Sequence, residues 1–274
     1  MKTLFISYRN SLSGKYSSHE ISLMFRELAS KHCNLPIQKL YFLEDITCSD
    51  EHKQLLLSDL NRLQSGEPFQ YVLGYTEFCG LKLNVDENVL IPRQETSELI
   101  EWIAQNEQNV GKILDVGTGS GCIALALKKQ YPNAEVWAVD KSAGALKVAR
   151  KNADEMALSV QFAEMDMLTD LKNLPQDFNI VVSNPPYIMP SEMVDMPEDV
   201  LDFEPHTALF VPENDPLIYY RAVAEFAFIS GAAVYFEINP LLSTQTCEMV
   251  SKIGFKEVKI REDISKKARF ICGK

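Results

Sequence analysis

The stretch "KILDVGTGSGCIALAL" (residues 112–127) reads as a hydrophobic strand, a glycine-rich turn and an apolar helix, and it decides the fold class. Gly117, Gly119 and Gly121 let the backbone approach a ligand closely, and the start of the following helix supplies N–H donors. A glycine-rich turn alone is a weak signal. A dinucleotide fingerprint, G-x-G-x-x-G, needs its last glycine one position beyond Gly121, where the chain has Cys122. The spacing here is G-x-G-x-G. Asp115, at the end of the strand, would repel a pyrophosphate but suits a ligand carrying an ammonium or sulfonium.

Outward from this stretch, strands and helices alternate. Strands are expected at 112–116, 135–139, 160–163, 178–183, 232–238, 255–260 and 268–272, with helices between several of them and another from about residue 95. That rhythm predicts an α/β domain with a mainly parallel sheet, an antiparallel pair at its end being an option. Residues 75–91, "YTEFCGLKLNVDENVLI", alternate around Gly80 as in a β-hairpin joining two domains. Upstream the pattern is helical. Ser17 and Ser18 are placed to cap a helix presenting Ile21, Met24, Phe25 and Leu28 on one face. Ser49-Asp50-Glu51 opens a second, with Leu56, Leu60 and Leu63. The expected organisation is a small N-terminal helical bundle that binds the substrate (1–74), a hairpin linker (75–92) and an α/β catalytic domain (93–274).

The acids sharpen the ligand. "EVWAVDKS" puts Asp140 at a strand end, where a carboxylate accepts from both hydroxyls of a ribose. "VQFAEMDML" ends near Asp166, placed for an adenine amino group. Each acid alone reads first as a solvated loop residue or helix cap. Together, at the carboxyl edge of one sheet, they favour S-adenosylmethionine (SAM) and a Rossmann-like methyltransferase domain. Thr118, Lys141, Met167 and Asn184 complete the expected cofactor site.

The fourth strand runs into "VVSNPPYI" (181–188). Prolines fix φ and carry no N–H, so the turn is stiff and its free groups are acceptors. The Asn184 side-chain oxygen and the Pro185 carbonyl match the two hydrogens of a planar –NH2 group, and Tyr187 offers a flat face for stacking. An amide or arylamine nitrogen is a poor nucleophile because its lone pair is delocalised. Two fixed acceptors orient it and stabilise positive charge as it attacks a methyl group in line. Alone, the same residues make a rigid surface turn; beside a SAM pocket they read as Asn184, Pro185, Pro186 and Tyr187 of a catalytic and substrate-binding turn.

The net charge of −11 and sequence pI of about 4.9 argue against a large footprint for duplex DNA or anionic membrane. No apolar run approaches the ~20 residues that span a bilayer, and MKTLFISYRN is a poor signal peptide. The six cysteines are scattered without a CxxC pair and the four histidines lack metal spacing, so reduced thiols, a cytoplasmic setting and no metal are expected.

Nearly the whole chain resembles the peptide chain release factor glutamine methyltransferases. The resemblance lies in "EPFQYVLGYTEFCGLKLNVDENVLIPRQETSELIEW" (67–102), "ILDVGTGSGCIALAL" (113–127), "VVSNPPYI", "FEPHTALF" (203–210), "YFEIN" (235–239) and "DISKKARFICGK" (263–274). It implies a helical domain joined to a Rossmann-like domain, SAM as cofactor, and methylation of the glutamine amide in the Gly-Gly-Gln loop of release factors. It further implies that Asn184 and the Pro185 carbonyl bind that amide, that Tyr187 packs against it, and that Arg93 shapes the substrate side or forms a salt bridge between the domains. Against the pattern usual in that family, the acid after Thr96 is replaced by Ser97, a glycine by Asn239, and Lys266 and Ala268 stand for a glycine and an acid; activity is expected to be intact. Two rivals remain on the residues alone: an amino-methyltransferase of nucleic-acid bases (adenine N6 or guanine N2), which would need base extrusion and a phosphate grip, and a scaffold with a vestigial site, against which the intact Asn184 argues. A monomer without direct nucleic-acid contact is expected.

Overall fold

The computed structural model describes residues 1–43 and 46–274. They form two compact units, Met1–Tyr75 with Pro197–Phe203, and Thr76–Met196 with Glu204–Lys274.

The smaller unit is helical: α1 (Lys2–Leu12), α2 (Ser18–Cys33), α3 (Asp50–Gln64) and α4 (Phe69–Leu73), with the short α8 (Glu198–Phe203). Ser17 caps α2 in a reciprocal capping box with Glu20, and Ser49 accepts from the His52 N–H at the start of α3. Ile21, Met24, Phe25 and Leu28 on α2 pack with Leu56, Leu60 and Leu63 on α3. The opening residues, read from sequence as a brief apolar patch, form α1. Leu4, Tyr8 and Leu12, four apart, are buried on one face, and the Tyr8 hydroxyl donates to the Leu56 carbonyl at 2.6 Å.

A two-stranded hairpin follows, β1 (Tyr75–Phe78) and β2 (Leu81–Asn84), which from Thr76 onward belongs to the larger unit. Cys79 and Gly80 both have positive φ, the requirement of a two-residue turn that matches strand twist. After α5 (Gln94–Asn106) come β3 (Lys112–Val116), α6 (Cys122–Gln130), β4 (Glu135–Asp140), α7 (Ala143–Glu155), β5 (Gln161–Glu164) and β6 (Ile180–Ser183). The short α9 (His206–Leu209), α10 (Ile218–Ile229), β7 (Ala233–Glu237), α11 (Ser243–Ile253), β8 (Val258–Glu262) and β9 (Ala268–Gly273) follow. The sheet order is β5-β4-β3-β6-β7-β9-β8. β3 to β7 pair in parallel, and β9 lies antiparallel between β7 and β8.

Period-two alternation divides the core. Ile113, Val136, Ala138, Ile180 and Val182 face the layer that holds α5, α6 and the hairpin. Leu114, Val116, Val139, Val181 and Val234 face the layer that holds α10 and Val250 of α11. Lys266, which stands for a glycine, keeps φ at 63°, so the turn between β8 and β9 retains a conformation that glycine adopts more readily.

Candidate active site

The chain lays down β3, β4 and β5 in one direction, then returns to place β6 on the other side of β3. This reversal is a topological switch point, and ligands of open α/β sheets bind beyond the strand ends there. The glycine loop follows β3 and the Asn-Pro-Pro-Tyr turn follows β6, with Val116 paired to Ser183 at their ends. Between them opens a cleft of about 770 Å³. Its walls include Gly117–Ser120, Asp140–Ser142, Met165–Leu168, Asn184, Pro186, Arg93, Thr96 and residues 205–208 and 210–212.

The glycine loop is held from inside the protein. The N–H groups of Gly117 and Thr118 donate to the Val139 carbonyl at 2.8 and 3.0 Å, that of Gly119 to Asp140 Oδ2 at 2.9 Å, and that of Gly121 to the Thr118 carbonyl at 2.8 Å. These donors are engaged, so the loop is poorly suited to cradling a phosphate. A Cβ on Gly119 would meet no protein atom within 4 Å, leaving open space on that side of the loop. One on Gly121 would meet Ala149 Cβ at 3.2 Å, so Gly121 serves the packing of α6 on α7 and does not line the cleft.

Asp115, expected at the ligand, does not line the cleft either. Strand alternation turns it to the same side as Ile113, toward α6. It is wholly buried; Oδ2 accepts from Thr118 Oγ1 at 2.6 Å and from the Ala124 N–H at 3.1 Å, while Oδ1 has no hydrogen-bond partner among the described residues. Burial pushes its pKa up to about 7, against the pull of both hydrogen bonds. Asp115 and Thr118 thus form the underside of the loop. Asn152, also buried, adds a brace by donating to the Ser120 carbonyl at 2.9 Å and the Asn84 carbonyl at 3.1 Å.

Asp140 and Asp166 do face the cleft. Asp140 accepts from Gly119 N–H and, through Oδ1, from Ser142 N–H at 2.9 Å; burial raises its pKa, opposed by these bonds. Asp166 accepts from Leu168 N–H at 2.9 Å and pairs with Lys141 at 2.7 Å, and the lysine holds its carboxyl below the ordinary range. The Met167 methyl closes over Gly117, 3.3 Å from where a Cβ would stand.

In the Asn-Pro-Pro-Tyr turn, Asn184 and Pro186 line the cleft, whereas Pro185 is buried and Tyr187 lies outside the lining. The Tyr187 ring packs against the α10 core, and its hydroxyl donates to Glu237 Oε1 at 3.3 Å. Its hydroxyl end is therefore tied into the protein, and the ring is partly buried. Asn184 Nδ2 donates to Thr96 Oγ1 at 3.4 Å, and Thr96 Oγ1 donates to Glu237 Oε2 at 2.6 Å. Burial raises the pKa of Glu237, opposed by the Thr96 bond and the charge of Arg269. Asn239 joins the same network, donating to the Tyr187 carbonyl at 3.1 Å and to Glu192 at 2.8 Å.

Arg93 donates to Glu204 Oε1 at 2.6 Å, and Glu204 Oε2 accepts from the Ile91 N–H at 3.2 Å. Both residues belong to the larger unit, which corrects the alternative of a salt bridge between domains. Thr96, Glu204, Glu237 and Asn239 lay inside motifs quoted from the sequence, but their pairings did not show there: Thr96 and Glu237 are 141 residues apart. The Ser97 hydroxyl donates within its own turn, to the Gln94 carbonyl at 2.6 Å. Among the described residues no group of three or more His, Cys, Asp or Glu could hold a metal, and no helix is long and apolar enough to cross a membrane.

Residues 94–199 match the methyltransferase small domain family. The fold is similar to that of the hMettl16 catalytic domain in complex with MAT2A 3'UTR hairpin 1, with a TM-score of 0.58 at 15% identity over 82% of this chain and 80% of that one. The chain is 44% identical to the release factor glutamine methyltransferase of Flavobacterium psychrophilum over 77% of each protein. It is 38% identical to that of Bacteroides thetaiotaomicron over 96% of each. With the switch-point cleft and both loops in place, the chain belongs to the release factor glutamine methyltransferase family.

Proposed function

We propose that this chain transfers a methyl group from SAM to the side-chain amide nitrogen of the glutamine in the Gly-Gly-Gln motif of peptide chain release factors, and so modulates translation termination. One juxtaposition carries the reading: a glycine loop whose N–H groups at 117, 118, 119 and 121 are engaged meets a stiff turn rich in acceptors, across one cleft. The first suits a ligand without phosphate, and the second suits an –NH2 group. The names of the relatives supply the protein substrate and do not favour a nucleic-acid base.

The residues fit SAM. Asp140 uses its remaining lone pairs for the ribose hydroxyls, and Asp166, oriented by the Leu168 N–H, takes the adenine amino group. Gly117 and Gly119 allow close approach, Met167 forms a wall, and Asp115, Thr118 and Gly121 hold the loop from behind. When bound, the cofactor supplies a methyl group on a positively charged sulfur.

The Asn184 Oδ1 and the Pro185 carbonyl accept the two hydrogens of the glutamine amide and aim its nitrogen along the line of displacement. As the nitrogen attacks, positive charge develops there, and the two acceptors stabilise it. No strong base is needed before attack, because the proton is lost once the new bond makes the nitrogen acidic. Pro186 stiffens the turn, Tyr187 supports it, and Arg93, fixed by Glu204, borders the substrate side. The N-terminal helical unit engages the release factor. The protein works in the cytoplasm as a monomer without direct nucleic-acid contact, in keeping with its net charge of −11.

The test is methyl transfer from labelled SAM, offering an intact release factor, the same factor with the Gly-Gly-Gln glutamine changed, and bulk DNA and RNA. Label on the intact factor alone is expected. Label on nucleic acid would overturn the substrate; no label anywhere, with SAM bound, would favour a scaffold.

A further inference from the structure

We propose that Thr96 and Glu237 are positioning residues that fix which way round the Asn184 amide stands. The inference rests on the reading of Asn184 as an acceptor for the substrate amide, and it names what makes that acceptor face the right way.

An asparagine amide has two ends of nearly equal size, one donating and one accepting. Only the accepting end can hold an incoming –NH2 group, so a flipped Asn184 would be inert. Shape alone does not choose between the two orientations; the polarity of the neighbour does. That neighbour is Thr96, on the first turn of α5 and 2% exposed. A threonine hydroxyl has one hydrogen, and that of Thr96 is given to Glu237 at 2.6 Å. Its oxygen then offers only lone pairs, and Asn184 must meet it with Nδ2, as it does at 3.4 Å. Turned round, Asn184 would set oxygen against oxygen. The Oδ1 atom takes no hydrogen bond from any described residue and belongs to a side chain that lines the cleft.

Glu237 sets the polarity. It is 1% exposed, at the end of β7, and as a carboxylate it only accepts. Its other oxygen takes the Tyr187 hydroxyl at 3.3 Å. One buried carboxylate therefore ties both ends of a turn whose middle is two prolines with fixed φ. Relay and tether are carried by the same side chain, so the direction of the Asn184 amide and the position of the turn are set together.

The experiment compares Thr96→Val, Thr96→Ser, Glu237→Gln and Asn184→Ala in the full chain. It measures kcat and KM for methyl transfer to a release factor, SAM affinity by calorimetry, and thermal melting. Valine keeps the volume of threonine without the hydroxyl. Glutamine keeps the shape of Glu237 but can donate, freeing the Thr96 proton to turn toward Asn184. Thr96→Val and Glu237→Gln are each expected to lower kcat roughly tenfold with SAM affinity unchanged, and Thr96→Ser to restore it to within about threefold of wild type. Wild-type kcat in Thr96→Val, or a Thr96→Ser enzyme as slow as Thr96→Val, overturns the relay. Should Glu237→Gln not fold, the valine and serine pair decides. An active Asn184→Ala enzyme would instead remove the reading of Asn184 itself, whereas an inactive one beside a fully active Thr96→Val removes the relay alone.

Discussion

The two loops at the switch point are built alike and wired differently. Each is anchored to a buried carboxylate that accepts a threonine hydroxyl at 2.6 Å: Asp115 with Thr118 under the glycine loop, Glu237 with Thr96 behind the Asn-Pro-Pro-Tyr turn. Asp115 reaches only its own segment, three and nine residues along the chain. Glu237 joins segments 141 and 50 residues away. Asp115 leaves one oxygen without a partner, whereas both oxygens of Glu237 are used. A local anchor suffices for a loop that must hold its shape beside the cofactor. The Asn-Pro-Pro-Tyr turn takes its partners from another strand and another helix, Glu237 on β7 and Thr96 on α5.

If the loops divide the work in this way, damage to each should read out differently. The largest effect is expected from Asn184→Ala. Loss of an acceptor that acts on charge developing in the transition state lowers kcat by roughly 10²–10³-fold. SAM affinity should stay near that of wild type if the side chain serves the acceptor amide as proposed. A parallel loss of SAM affinity by calorimetry would merge the two loops into one site and break the comparison.

The same contrast decides what the sequence could reveal. The glycine loop and the strand ends were legible because their signals are local: apolar runs, glycine spacing, and acids at 140 and 166 that do face the cleft. Asp115 was legible as a strand end but not as a buried anchor, because alternation along β3 sends it toward α6 while the residues after it turn into the cleft. Asn184-Pro185-Pro186-Tyr187 was legible as a stiff turn after β6, yet the contacts of Tyr187 with Glu237 and the α10 core are encoded in no local pattern.

The second effect concerns Asp115 and pH. Its pKa is raised by burial to about 7 from an ordinary 3.8. The folded protein therefore keeps a proton there that the unfolded chain releases. The stability this contributes is full below about pH 4 and is lost as pH rises toward 7. Asp115→Asn removes the titration, so the difference in unfolding free energy between variant and wild type should shift in favour of the variant by a few kcal/mol between pH 4 and 8. A difference that is flat with pH in denaturant titrations would mean that Asp115 is ionised without penalty, and its unpartnered oxygen would need another account.

Third, on the proposed ribose assignment Asp140→Ala should weaken SAM binding roughly tenfold or more while kcat at saturating SAM changes little, because the variant would lose two charge-assisted hydrogen bonds to the cofactor and none to the acceptor amide. The variant also loses the acceptor for the Gly119 N–H, so some of the effect arises in the loop itself. Unchanged affinity by calorimetry would remove Asp140 from the ribose. Paired with Asn184→Ala, the result tests the division directly: one variant should move binding, the other turnover.

The smallest effect is expected at the exposed rim of the glycine-loop side, from Lys141→Met. The lysine is 77% exposed, and a pair so open to solvent does little for stability. Melting temperature should not move. Asp166 also does not depend on it for orientation: Oδ1 is held by the Leu168 N–H, and the Asp166 N–H is itself tied to Asp170 Oδ2. SAM affinity should therefore change by less than about threefold, with the Asp166 carboxyl rising toward its ordinary range once the lysine charge is gone. A much larger loss would place the ammonium group itself on the cofactor. The glycine-loop side would then rely on a long-range charged contact as the turn does, and the local character that separates the two loops would be confined to Asp115.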